Sequence, residues 1–196
     1  LDKNRIPHKV LLDYGFEYTN LKAYNGTLSD STVVDVPTLK HIYNTIFSSR
    51  VTSATTGFIN PNNFDSNWKN RTAGTITVSG LYYKYNAFIN DAINLGKVNF
   101  VNNQFQDKFV SGVWQNPYQE FQAFAMAPAI SKYEGLSFTV KIPSTIFYSN
   151  YQSLVQSIQI DFGNGAGYVT VPFNQNVTIS YATEGVKTWK YKLNLT

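Results

Sequence analysis

The stretch that decides the fold lies near the C-terminus and reads Ser157-Ile158-Gln159-Ile160-Asp161-Phe162-Gly163-Asn164-Gly165. Its apolar residues Ile158, Ile160 and Phe162 alternate with other residues, and this period of two places them on one face of a β-sheet. Asn164-Gly165 can supply the positive φ angles that a two-residue hairpin turn requires. The stretch therefore predicts a strand that runs into a tight turn.

Four more runs in the last third of the chain show the same alternation. They occupy residues 136–142, 169–173, 177–181 and 189–195, and Gly, Asn and Pro residues separate them. Several short strands at such spacing favour a β-sandwich over a helical or a parallel fold. We therefore expect a sandwich at the C-terminal end.

Two motifs in this region resemble those of PKD-type immunoglobulin-like domains. Residues 160–165 look like their aromatic-Asp-Phe-Gly-Asp-Gly signature, although Ile160 replaces the usual Trp and Asn164 replaces the usual Asp. Residues 181–188 are similar to their Tyr-x-x-x-Gly-x-Tyr-x turn into the last strand. The resemblance covers residues 135–196 and implies a PKD-like β-sandwich domain there.

Four segments of the first two thirds also resemble a known group of proteins. Residues 5–17, 21–27, 79–85 and 113–118 are similar to the N-terminal region of large secreted proteins from Bacteroidetes. Such proteins are commonly exported by the type IX route and are often multidomain. The resemblance implies a secreted or cell-surface location and further domains of the same polypeptide, and it assigns no catalytic residue.

Residues 1–134 are predicted to form a β-rich N-terminal domain with one amphipathic helix, at about residues 37–50. Pro37 suits the first turn of a helix, and apolar residues recur at helical spacing as Leu39, Ile42, Tyr43, Ile46 and Phe47. Residues 51–74 are polar and predict a long connection.

Further strands are expected beyond this connection, near residues 97–101, 107–114 and 121–127. A strand also resumes at Thr75, and its apolar residues change phase at Gly80. A phase change at a glycine indicates a β-bulge.

Composition narrows the classes of function. The chain of 196 residues has no cysteine, which excludes disulfides, thiolate metal sites and a cysteine nucleophile. Aromatic residues make up 16% and charged residues only 14%, a balance typical of β-sheet surfaces that meet sugars, cell envelopes or other proteins. The scattered lysines argue against nucleic-acid binding, and no 18-residue apolar run predicts a membrane span.

The densest basic cluster is Lys187, Lys190 and Lys192, and a net charge of +4 is modest. We interpret the cluster as a solvated strand face or a charged edge that discourages strand addition. An acidic polysaccharide is the alternative ligand for these lysines.

No catalytic, metal or cofactor site is predicted. The two histidines, His8 and His41, lack any metal-binding or hydrolase motif. Asp13 and Glu17 would lie about 13 Å apart on an extended strand, too far for a glycoside hydrolase pair without a bend. The other carboxylate candidates are Asp35, Glu120 and Glu134.

Aromatic residues are the candidates for a sugar-binding platform. Trp68 lies in the polar connection, Trp114 and Tyr118 flank a predicted turn, and Tyr82 lies in a predicted strand; Tyr24 is a further candidate. The alternative is that each ring anchors its segment to the core. Ser31, within Asp30-Ser31-Thr32, resembles a bacterial O-glycan acceptor.

The leading hypothesis is a non-catalytic extracellular binding or spacer module of a larger secreted or cell-surface protein. A polysaccharide or cell-surface glycan is the expected ligand class. Two rivals stay open: an accessory domain of a secreted hydrolase whose catalytic residues lie elsewhere, and a structural or adhesion component of a cell-surface assembly.

Overall fold

The computed structural model describes residues 1–12, 22–69 and 72–196. It is mainly β, as predicted, with two α-helices, α1 (Val36–Ser48) and α2 (Pro61–Lys69), in the described residues. The strands are β1 Thr75–Phe88, β2 Val98–Val101, β3 Gln104–Asp107, β4 Phe109–Val110, β5 Val113–Trp114, β6 Tyr118–Pro128, β7 Ser137–Lys141, β8 Phe147–Ser149, β9 Val155–Asp161, β10 Tyr168–Thr170, β11 Asn176–Ser180 and β12 Lys190–Leu195.

A five-stranded sheet forms the centre of the molecule. Its strands lie in the order β11-β7-β1-β6, and β8 also pairs with β1. β1 pairs with β6 in the antiparallel sense and with β7 and β8 in the parallel sense. A second sheet has the order β10-β9-β12, and two hairpins pair β2 with β3 and β4 with β5.

β1 is buried on both of its faces. Its odd-numbered residues, such as Leu81 and Tyr83, belong to a core cluster that includes residues of both helices. Its even-numbered residues, such as Val78 and Tyr82, belong to a second cluster with the β10-β9-β12 sheet. Successive side chains of a strand point to opposite faces, so β1 separates a layer of helices from a layer of strands.

The predicted helix is confirmed as α1. Leu39, Ile42, Tyr43 and Ile46 are its buried residues, as the helical spacing predicted. Asp35 caps the helix because its Oδ1 accepts a hydrogen bond from the backbone N–H of Thr38 at 2.9 Å. The hydrogen bonds from Thr38 lower the pKa of the Asp35 carboxyl group.

The prediction of one long connection over residues 51–74 is wrong, because α2 lies within it. Phe64 and Trp68 are one helical turn apart, and both rings are buried in the helix-side core. Asn60 stabilises the start of α2, since its side-chain oxygen accepts from the N–H of Asn62 at 2.9 Å. Two apolar residues among polar ones form too weak a periodic pattern to predict such a helix.

The alternation that predicted β9 is confirmed, since Ile158, Ile160 and Phe162 are buried in the second core cluster. The prediction of a two-residue turn at Asn164-Gly165 is wrong. Asp161 pairs with Tyr168, so residues 162–167 form the connection between β9 and β10. The Asp161 side chain organises this connection by accepting a hydrogen bond from the N–H of Gly163 at 3.0 Å.

Strand pairing runs across the predicted domain boundary between residues 134 and 135. Ile76 of β1 lies opposite Val140 of β7, and Gly80 lies opposite Phe147 of β8. The second core cluster also contains side chains from both predicted domains. The two segments therefore share one sheet and one core.

The strands expected near residues 97–101 and 121–127 correspond to β2 and β6. Residues 107–114 instead contain the short hairpin β4–β5, because Ser111 and Gly112 both adopt positive φ angles. Such a pair of residues forms a tight hairpin turn, so the expected single strand is wrong.

The β-bulge predicted at Gly80 is also wrong. The β1–β6 register continues without a shift from Val78 to Phe88. Apolar residues occur at both odd-numbered and even-numbered positions of β1 because both faces of this strand are buried. Gly80 is required by close packing, since a Cβ atom there would lie 2.7 Å from Met126 Cγ and 3.1 Å from both Ala125 O and Phe147 Cδ2.

We predict that Gly80→Ala lowers the free energy of unfolding by about 1–3 kcal/mol, because the added methyl group overpacks this contact. Chemical denaturation would measure the loss. In a Met126→Ala background the same change should cost less, since the nearest atom is removed. An equal cost in both backgrounds would contradict the packing explanation.

Candidate functional site

A groove of about 1850 Å³ follows the outer side of β6. Among the described residues, it is lined by residues 122–126 of β6, by much of segment 22–34, by the connection 130–136 and by segment 183–192. We call this feature the edge groove. It is larger than the 300–1,000 Å³ that is usual for a small-molecule pocket, so its dimensions suit an extended polymer.

β6 exposes backbone groups along this groove. Ala129 N donates to Thr77 O at 2.8 Å and Ile89 N donates to Pro117 O at 2.8 Å, and these bonds show that odd-numbered residues of β6 face β1. Even-numbered residues therefore direct their N–H and C=O groups outward. No other strand of the described chain pairs with this edge.

Aromatic rings form a continuous row beside the exposed edge. The ring centroids of Tyr133 and Phe138 lie 5.0 Å apart, and those of Phe138 and Trp189 lie 6.3 Å apart with nearly parallel planes. Trp189 Nε1 donates to the Tyr181 hydroxyl at 2.8 Å, which in turn donates to Phe162 O at 2.7 Å. These bonds fix the orientations of the Trp189 and Tyr181 rings.

Three further lining residues differ in exposure. The side chains of Tyr133 and Tyr168 are 37% and 44% exposed, so part of each ring is open to solvent. The Tyr191 hydroxyl is instead buried without a hydrogen-bond partner, and burial raises its pKa. A buried polar atom without a partner is uncommon in proteins.

Positive charge predominates in the edge groove. Five lysines and two glutamates are the charged residues among its described lining: Lys22, Lys132, Lys187, Lys190, Lys192, Glu134 and Glu184. Lys187 Nζ lies 5.0 Å from the centre of the Tyr181 ring, and Lys190 Nζ lies 3.8 Å from Asp161 Oδ2. Lys22, Lys132 and Lys192 are exposed.

A second polar cluster attaches the N-terminal segment to the sheet, and we call it the N-terminal clasp. His8 Nε2 lies 2.6 Å from Glu120 Oε2, and His8 Nδ1 lies 2.7 Å from the Tyr151 hydroxyl. Lys84 Nζ lies 3.0 Å from Glu120 Oε1. The hydrogen bond from Lys84, followed by that from His8, lowers the pKa of Glu120.

The backbone of the clasp is strained. His8 and Lys9 adopt positive φ angles of 55° and 56°, which are uncommon for residues other than glycine. The contacts of the His8 ring hold it in this conformation. Both carboxylate oxygens of Glu120 are already paired, one with His8 and one with Lys84. These side chains therefore bind one another and attach the N-terminal segment to the sheet.

Of the predicted ligand-binding residues, Trp68, Trp114, Tyr118 and Tyr82 do not line the edge groove, whereas Tyr24 lines it and is 43% exposed. Trp68 and Tyr82 are only 3% and 1% exposed, and Tyr118 is also buried. A buried ring has no free face for a sugar, so the expectation of exposed platforms at these positions is wrong. Trp114 is half-buried, and its Nε1 donates to Asp107 Oδ1 at 3.1 Å.

Other predicted candidates are dispersed. Asp13 and Glu17 lie outside the described residues. His41 is exposed on α1, Glu134 lines the edge groove, and Ser31 is half-buried in a turn, where its carbonyl accepts from Lys22 N at 2.7 Å.

Sequence reasoning missed Tyr133, Tyr168, Tyr191 and Trp189 as groove residues. Trp189 does pack against the second core cluster, but it also lines the edge groove. Alternation identifies the inner face of a strand, and it does not show that the edge beside that face is open.

The described residues contain no group of three or more His, Cys, Asp or Glu side chains that could hold a metal ion. None of the helices in the described ranges is long and apolar enough to cross a membrane. Comparison with protein-family models, curated proteins and solved structures finds no match for this chain. The geometry of the molecule therefore carries the functional argument.

We predict that Glu120→Gln lowers the free energy of unfolding at neutral pH by a few tenths up to about 1 kcal/mol, as for partly exposed ion pairs. The folded-state pKa of Glu120 lies below its ordinary value. Its stabilising effect is therefore present above the unfolded-state pKa and is lost as the pH falls through the folded-state pKa. Denaturation at several pH values measures this.

The matched control is Glu134→Gln, since the exposed Glu134 forms no ion pair within the described chain. It should leave stability nearly unchanged at every pH. If the Glu120 variant loses the same free energy at low pH as at neutral pH, ion pairing is not the cause.

Proposed function

We propose that this protein is a non-catalytic binding module that holds a polysaccharide or cell-surface glycan in the edge groove. The observation that carries the proposal is the pair of partly exposed rings, Tyr133 and Tyr168, in a groove beside an edge of β6 that no described strand pairs with. Aromatic rings offer apolar faces, while Tyr and Trp also carry a polar group. The outward N–H and C=O groups of Gln122 and Phe124 offer donors and acceptors for hydroxyl groups.

The chemistry of the ionisable groups supports a binding role over a catalytic one. In the N-terminal clasp, His8, Glu120 and Lys84 are paired with one another and attach the N-terminal segment. The groove contributes lysines and two glutamates beside aromatic rings. Such a groove can hold a polymer without cleaving it.

The finer fold assignment and the location belong to the same proposal. We propose that residues 135–196 supply a PKD-like, immunoglobulin-like part, supported by the buried alternation of β9 and the hydrogen bond from the Tyr181 hydroxyl to Phe162 O. The resemblance to type IX-exported proteins of Bacteroidetes supports a secreted or cell-surface module joined to further domains of the same polypeptide. In such a parent protein, hydrolytic activity would reside in another domain.

We predict that Tyr133→Ala and Tyr168→Ala each weaken glycan binding roughly two- to tenfold, because each removes a partly exposed ring from the groove. A glycan array would identify the ligand, and isothermal titration calorimetry would measure affinity. Phe105→Ala is the control, since Phe105 is an exposed aromatic residue on the β2–β3 hairpin. Failure to bind any polysaccharide would overturn the proposal, as would equal losses in all three variants.

A second candidate function, a structural component of a cell-surface assembly, is favoured by one observation. The hairpins β2–β3 and β4–β5 carry several exposed apolar side chains, namely Phe100, Val101, Phe105, Phe109, Val110 and Val113. Exposed apolar groups that cluster on a surface commonly mark an interface.

If these hairpins mediate assembly, the chain should self-associate as its concentration rises. The double change Phe100→Ser and Val113→Ser should weaken that association at least tenfold, measured by sedimentation velocity. A chain that stays monomeric at all concentrations would contradict this second candidate and leave the glycan proposal intact.

A further inference from the structure

We infer that the ligand of the edge groove is an anionic polysaccharide, such as a polymer of uronic acid. This inference rests on the proposed glycan-binding function and adds the chemical class of the ligand. Its basis is the charge of the groove wall, which is independent of the aromatic rings that support a glycan in general.

The edge groove contains a large part of the net positive charge of the chain. The described lining residues comprise five lysines and two glutamates, a surplus of three positive charges. The whole chain has a net charge of only +4. A groove lined mainly by one sign of charge raises the local concentration of ligands of the opposite sign.

Three of these lysines are available to a ligand. Lys22, Lys132 and Lys192 form no side-chain hydrogen bond or ion pair with another described residue, whereas Lys190 lies near Asp161. Lys22 and Lys132 belong to two different segments, and Lys192 projects from the outer face of β12 opposite Gln159. The free charges are therefore distributed around the groove.

The type of cation also bears on the ligand. Lysine acts as a compact point charge, whereas arginine forms planar bidentate contacts with phosphate and carboxylate groups. The described lining of the groove contains lysine and no arginine. Dispersed point charges suit a polymer that carries one negative charge on each sugar unit.

An extended peptide added to the edge of β6 is less favoured than a polysaccharide. Pro128 lies at an outward-facing position of β6, where it has no N–H to offer an added strand. Lysines such as Lys22 and Lys132 flank the same edge, and lysine and proline are the residues that protect sheet edges against strand addition. Glu120, Gln122 and Phe124 are then the outward-facing residues of β6 that are not buried and that offer both backbone groups.

Calorimetric titration of the whole chain with polygalacturonate and with its fully methyl-esterified form tests the inference. The two polymers share one backbone and differ in charge. We expect polygalacturonate to bind at least tenfold more tightly and to lose affinity as salt rises. Lys132→Gln and Lys192→Gln should each weaken its binding about two- to fivefold.

The control variant is Lys3→Gln, which removes the same charge from an exposed lysine outside the groove and should leave affinity unchanged. Equal binding of both polymers would overturn the inference of an anionic ligand while the glycan-binding function stands. Binding of no polysaccharide would overturn both. Tighter binding of a single-stranded oligonucleotide or an acidic peptide than of polygalacturonate would also overturn the inference.

Discussion

The structure depends on the burial of β1 between two cores. A central strand whose alternate side chains enter different cores couples every layer of the molecule, because neither the helices nor the β10-β9-β12 sheet can pack without it. Its backbone is equally engaged, since β6 lies along one side while β7 and β8 lie along the other. Close packing at Gly80 is a consequence of this central position.

The same arrangement creates the edge groove. Because β1 uses one side of β6 for pairing, the other side of β6 exposes its backbone groups beside the end of the second core. The rings of Phe138 and Trp189 belong partly to that core and partly to the groove wall. The proposed binding surface is thus continuous with the core, and a surface held rigid in this way would lose little conformational freedom when a ligand binds.

Prediction from sequence was most accurate where one segment carried a strong periodic pattern. The apolar positions of α1 recur with a period of about 3.6 residues and those of β9 with a period of two. This local spacing is enough to predict which face of each element is buried. α2 was missed because Phe64 and Trp68 are its only buried apolar residues. Missing α2 also affected the predicted binding site, because Trp68, which was expected in a polar loop, is a core residue on this helix.

The sequence by itself determined the mainly β character, helix α1 and the absence of thiol chemistry, because composition and local periodicity specify these properties. Only the tertiary structure decided that residues on both sides of position 134 share one sheet, and that Tyr133 and Tyr168 line the edge groove with partly exposed rings while Trp68 and Tyr82 are buried. The physical reason is that strand pairing joins residues distant in sequence, and exposure depends on which strand forms the edge.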